Sequence, residues 1–179
     1  MRVLARALVL AAALGAAACA ELTARAPGEH VAFEFTARFA ARYGDETASG
    51  QLAWRHGPAR DEVLLSSPFG QGMARVTRAN GAVTLVTADD RRYSAADAES
   101  LTEEVLGFRL PLAGLADWVR ARPAPDAPAR TEYGTDGRLA VIEQLGWHIE
   151  YQAYEEGRPA RLRLTYPGLE LRIAISAWL

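Results

Sequence analysis

From residue 31 to residue 43 the chain alternates without a break. Val31, Phe33, Phe35, Ala37, Phe39, Ala41 and Tyr43 fall on one parity; Glu34, Thr36, Arg38 and Arg42 fall on the other. Successive side chains of an extended strand point to opposite faces, so this spacing demands a long strand with one buried face. Such a strand needs partners that continue the same buried face. The chain supplies them. Gly44-Asp45-Glu46 breaks the first strand, and residues 51–56 follow with Leu52 and Trp54 on the inward parity. Residues 60–66, 72–78 and 82–87 read as further strands, the last two joined by the turn pair Asn80-Gly81. Asp89-Asp90 marks another turn ahead of residues 91–93.

The period then changes. Ser94 suits the N-cap of a helix running to about residue 106, with Ala98, Leu101 and Val105 on one stripe and Gly107 as its stop. Pro111 can open a second short helix carrying Leu112, Leu115, Trp118 and Val119. The run RPAPDAP at 122–128 ends helix and reads as an extended link. Strands return afterwards, at 138–144, 146–154, 160–166 and 169–177. In them Trp147, Ile149, Tyr151 and Ala153, and then Leu169, Leu171, Ile173 and Ile175, hold one parity. Strands, a helical insert, and strands again, with no strand–helix–strand alternation, predict a mainly β antiparallel sheet curved around central helices.

Ahead of the domain lies a segment of another kind. Arg2 and Arg6 precede an uncharged apolar run over 7–18, and the only cysteine, Cys19, follows Ala16-Ala17-Ala18. This is the layout of a signal peptide at 1–18, too short to span a bilayer comfortably. With the sole cysteine at the cleavage point it resembles a bacterial lipobox, although Ala16 stands where leucine is commonest. Lipidation of Cys19 is expected, with residues 19–30 forming the lipidated cysteine and a short tether and 31–179 the folded domain. Ala20, in place of an aspartate, points to the outer membrane, facing the periplasm of a Gram-negative bacterium.

Chemistry of the usual catalytic kinds is missing from the pattern. His30, His56 and His148 lie on separate elements without short-spaced partners, and no Gly-x-Ser-x-Gly elbow or phosphate-cradling glycine loop occurs. A single cysteine provides neither a disulfide framework nor a cysteine-rich metal site. A net charge of −2 gives no case for nucleic acid as a partner. No catalytic residue, metal or cofactor is expected, and a monomer suffices.

Two features remain. The first is the aromatic lining of the inward parities: Phe33, Phe35, Phe39, Trp54, Trp118, Trp147 and Tyr151. Ordinary core and a cavity for an acyl chain are both consistent with it. The second is SSPFGQG at 66–72, which sets Phe69 between Pro68 and Gly70. Turn chemistry projects a side chain outward there, although a phenylalanine can also fold back onto the sheet.

The stretches LLSSPFGQGMARV, RRYSAADAESLTEEVLGFRLPLAGLADWVRARPAP, GRLAVIEQLGWHIEYQAY, RPARLRLTY and LELRIAISAW resemble, in that order, the LolB family of outer-membrane lipoproteins. The resemblance implies an unclosed antiparallel β-barrel with helices plugging its concave apolar face. It implies an acceptor that takes lipoproteins from a LolA-like periplasmic carrier, holds their acyl chains, and inserts them into outer-membrane lipid. Phe69 then becomes a membrane-insertion tip. The acyl-chain cavity would be lined by Phe33, Phe35, Phe39, Trp54, Leu101, Leu115, Trp118, Trp147, Ile149 and Tyr151. A lipid-anchored binding or assembly module without insertion activity and a membrane-acting periplasmic hydrolase are the rival functions.

Overall fold

The computed structural model describes Gly28 and residues 30–179; the signal segment, Cys19 and the rest of the tether lie outside the described residues. Among the described residues six strands come first: β1 (Phe33–Tyr43), β2 (Glu46–His56), β3 (Arg60–Ser66), β4 (Gly72–Ala79), β5 (Ala82–Thr87) and β6 (Arg92–Ala95). Two helices follow, α1 (Ala98–Leu106) and α2 (Leu112–Trp118). Five strands complete the chain: β7 (Ala129–Tyr133), β8 (Leu139–Gln144), β9 (Trp147–Glu155), β10 (Arg158–Tyr166) and β11 (Leu169–Trp178).

All eleven strands form one antiparallel sheet in the order β6-β5-β4-β3-β2-β1-β11-β10-β9-β8-β7. Every neighbouring pair but one is a sequence-consecutive hairpin. The exception is β1 with β11, where Phe39 faces Ile173 and Tyr43 faces Leu169. The free edges are β6 and β7, so the sheet is an open half-barrel and not a closed one. The helical segment is the connection between those two edges. It therefore has to cross the hollow, and it fills it: Leu112, Leu115 and Trp118 of α2 and Leu101 of α1 join the sheet's inward residues in one buried cluster.

Hairpin connectivity gives the half-barrel two distinguishable ends. The entry end carries the start of β1 at Phe33, the end of β11, and the turns β2–β3, β4–β5, β7–β8 and β9–β10. The far end carries the turns β1–β2, β3–β4, β5–β6, β8–β9 and β10–β11.

One local expectation is corrected. Ser94 does not cap a helix; it pairs with Thr84 inside the β5–β6 hairpin. Asp97 is the N-cap instead, its side chain accepting from the Ser100 backbone N–H at 2.8 Å. Both residue types serve as caps, and strand pairing claims the first of them. The link keeps its expected place at 122–128, but residues 129–133 after it form an edge strand, β7, that the sequence pattern did not reveal. Every residue of β7 is exposed, so no buried parity marks it in the sequence.

Candidate functional site

The inward face of the sheet is continuous and almost wholly apolar. Phe35, Trp54, Leu115, Trp118 and Ile149 are fully buried, and Phe33, Phe39, Leu101, Trp147 and Tyr151 are nearly so. The structure brings all ten expected lining residues into one cluster. Phe33, Phe35 and Trp54 pack together, with ring centroids 5.2–5.8 Å apart. Trp118 of α2 meets Trp147 of β9 at 6.2 Å, and Phe39 of β1 meets Phe108 of the interhelical link at 5.8 Å. The two short helices are thus seated on the aromatic lining itself.

The polar atoms of the buried tryptophans find partners, and two of the residues that supply them, Asp61 and Gln144, were not singled out from the sequence. Trp54 donates its indole N–H to Asp61 Oδ1 at 3.1 Å, and Asp61 also holds His56 and Arg78. Trp118 donates to Gln144 Oε1 at 2.8 Å, and that oxygen also accepts from the Ala124 N–H. Gln144 Nε2 donates to the carbonyls of Ala124 and Ala127. Tyr151 donates its hydroxyl to the Trp118 carbonyl at 2.7 Å, satisfying an oxygen at the end of α2. Burial raises the pKa of the Tyr151 phenol and pushes that of Tyr154 up to about 12. The only clue to Gln144 was its parity, shared with Ile142 on the inward face of β8.

An open cleft of about 320 Å³ reaches the rim of this cluster at the entry end, between Phe33, Val119, Arg120, Arg158, Pro159 and Trp178. Arg120 lies over the Phe33 ring at 5.3 Å and Arg158 over the Trp178 ring at 5.3 Å.

At the far end stands Phe69, 95% exposed. It does not fold back on the sheet. The loop that carries it is closed by Ser67 N–H to the Gln71 carbonyl at 2.7 Å and by Gly70 N–H to the Ser67 carbonyl at 2.9 Å. Gln51 Nε2 braces it from β2 by donating to the Pro68 carbonyl at 3.3 Å. Gly70 adopts φ 84°, a conformation open to glycine at no steric cost. Phe69 is held out by an ordered turn, not by a lack of one.

The histidines are not brought together. His56 faces Asp61, His148 lies between Glu143 and Glu150, and His30 is exposed. Among the described residues no group of three or more His, Cys, Asp or Glu side chains could hold a metal ion. No described helix is long and apolar enough to cross a membrane.

Comparison with known proteins places this geometry. The family model described as outer membrane lipoprotein LolB matches residues 31–178. The chain belongs to the LolB family. Curated relatives named outer-membrane lipoprotein LolB include that of Thiobacillus denitrificans, 44% identical over 74% of this chain and 72% of the relative. That of Pseudomonas aeruginosa strain LESB58 is 40% identical over 82% and 74% of the two chains. That of Chromobacterium violaceum is 36% identical over 97% and 98%. In this LolB-family chain the family match spans both the aromatic interior and the Phe69 turn. Those two features lie on one sheet, with Phe69 at the end opposite the start of β1.

Proposed function

We propose that this protein is the outer-membrane-anchored acceptor that takes lipoproteins from a LolA-like soluble carrier and inserts them into the outer membrane, binding their acyl chains against the apolar inner face. The observation that carries this reading is the pairing of an aromatic half-barrel, plugged by only two short helices, with a projecting phenylalanine on the same sheet. Acyl chains enter by shifting α1 and α2 off the lining, and Trp118 and Trp147 part to receive them. An acyl chain left in water costs on the order of 10 kcal/mol, at about 0.8 kcal/mol per CH₂. Transfer therefore runs between facing apolar surfaces without release into water, downhill from carrier to acceptor to bilayer, with no nucleotide, metal or catalytic side chain required. The protein works as a monomer.

The lipid on Cys19 keeps the acceptor at the periplasmic face of the outer membrane, beside its destination. Phe69 enters the lipid at the moment of delivery. Burying one such ring contributes roughly 1.5–3 kcal/mol, enough to bias contact without immobilising the protein.

Mixing the purified protein with lipoprotein-loaded carrier and liposomes tests the reading. Lipoprotein recovered in the liposomes supports it. Lipoprotein retained on the protein would instead make it a binding module, and lipid breakdown would make it an enzyme.

A further inference from the structure

The two ends of the half-barrel differ in what their turns expose. Three hairpins use the same two-residue turn, with both central residues at positive φ: Asn80-Gly81 at 53° and 75°, Leu145-Gly146 at 54° and 80°, and Glu156-Gly157 at 50° and 79°. This backbone favours Asn, Asp or Gly at its first position, and a large apolar residue there is strained. The two turns at the entry end carry polar residues in that place. The one at the far end carries Leu145, 51% exposed. The turn geometry does not ask for a leucine, and about half of the residue is left in water. Tyr43, at the β1–β2 turn of the same end, is 41% exposed.

Phe69, Tyr43 and Leu145 are thus three of the five large hydrophobic residues that the described chain exposes. The other two are Tyr133, on edge strand β7, and Leu179, at the last position, both at the entry end and neither at a turn tip. Along the sheet, β3 and β9 are separated by β2, β1, β11 and β10, so Phe69 and Leu145 stand on opposite sides of the barrel mouth with Tyr43 between them. Five strand spacings amount to about 24 Å along the sheet, less across the curved mouth. Three separated points define a plane, whereas a single point does not.

We propose that Leu145 and Tyr43 are membrane-contact residues that act with Phe69 as a three-point rest, setting the far end of the barrel flat against the bilayer. The proposal rests on the reading of Phe69 as a membrane tip and adds the residues that orient it. The occupant is the lipid surface itself. Asp45, Glu46, Asp89, Asp90 and Glu143 share this end with Arg42, Arg91, Arg92 and Arg130, so the charges are mixed and no cationic patch recruits anionic headgroups. Contact is carried by apolar burial and holds on zwitterionic lipid, with little dependence on salt.

Single cysteines placed at 69, 43 and 145, and at 80 and 156 as controls, are each labelled with an environment-sensitive fluorophore in the full, membrane-anchored chain. The probe surface is a phosphatidylcholine vesicle containing lipids with a shallow nitroxide quencher. Positions 69, 43 and 145 should be quenched and 80 and 156 should not, at low and high salt alike. Quenching at 69 with none at 43 or 145 overturns the three-point rest and leaves the single tip standing. Absence of quenching at all three removes the membrane tip as well. Leu145→Asn, which suits the turn, should raise thermal stability yet slow lipoprotein delivery to the vesicles several-fold; delivery at the unmodified rate contradicts the assignment.

Discussion

Trp118 and Gln144, 26 residues apart in the chain, are joined by a buried hydrogen bond of 2.8 Å from the indole N–H to the side-chain amide oxygen. The same amide ties down the backbone of Ala124 and Ala127, so one side chain fixes both the end of α2 and the link that follows it. Removing it leaves several buried donors and acceptors without partners. Gln144→Leu should therefore cost about 2–4 kcal/mol in urea unfolding, more than an isolated hydrogen bond is worth. Hydrogen exchange at Ala124 should accelerate in the same variant, and unchanged exchange would separate Gln144 from the positioning of the link.

Gly50 offers a second test of the packing. A β-carbon built there would lie 2.0 Å from the Ser66 carbonyl oxygen and 3.1 Å from the Phe39 ring. The clash is with backbone of the paired strand, which cannot swing aside. Gly50→Ala should lose stability at the upper end of the roughly 1–3 kcal/mol typical of overpacking, read as a lower urea midpoint. The Phe69 loop starts at Ser66, so its order should suffer too.

Alkali provides a third. Burial holds the Tyr154 phenol up to about 12 and raises that of Tyr151, whereas a phenol in the unfolded chain ionises near 10. Below pH 10 both states keep their protons and these groups add no pH dependence. Above pH 10 the unfolded state ionises first, so stability falls as pH rises towards 12. Tyr151→Phe with Tyr154→Phe should flatten that fall in urea titrations at pH 9 and 11. An equally steep loss in the double variant would place its origin elsewhere.

Much of this architecture was legible in the sequence, for a physical reason. One-sided burial leaves a period-2 record, and Phe33 to Tyr43, Trp147 to Tyr151 and Leu169 to Ile175 carry it plainly. Where burial is not one-sided the record fails. Edge strand β7 is exposed throughout and shows no parity. In β3 the adjacent Asp61 and Glu62 are both buried, which an alternating pattern of one-sided burial does not signal. Asp61 is held by Trp54, His56 and Arg78 and Glu62 by Arg55 and Arg75, all from other positions that only the fold brings near. Phe69 was legible as a turn residue because Pro68 and Gly70 flank it. Leu145 was not, since Leu-Gly is no turn signal and only the positive φ exposes its oddity.

Anchoring yields a fourth prediction. Palmitate should label the unmodified protein in cells and fail to label Cys19→Ser; equal labelling of both would end the assignment of Cys19. On the proposed reading the tether also has a length requirement, because β1 begins at the entry end while Phe69 lies at the far end. The eleven residues of β1 span about 35 Å. The stretch from Cys19 to the start of β1 reaches at most about 50 Å when extended. Deleting six residues from it should keep the protein folded and anchored but slow delivery to the membrane, and reinserting six residues of unrelated polar sequence should restore it.

The central claim is that this protein delivers acyl chains into a bilayer through the tip at Phe69. The most direct measurement follows lipoprotein passing from loaded carrier to liposomes with Phe69→Leu and Phe69→Glu. At 95% exposure neither change removes packing, so both variants should melt with the unmodified protein. Phe69→Leu should deliver normally. Phe69→Glu should strip lipoprotein from the carrier and retain it, leaving the liposomes empty. Delivery by Phe69→Glu at the unmodified rate would contradict the account.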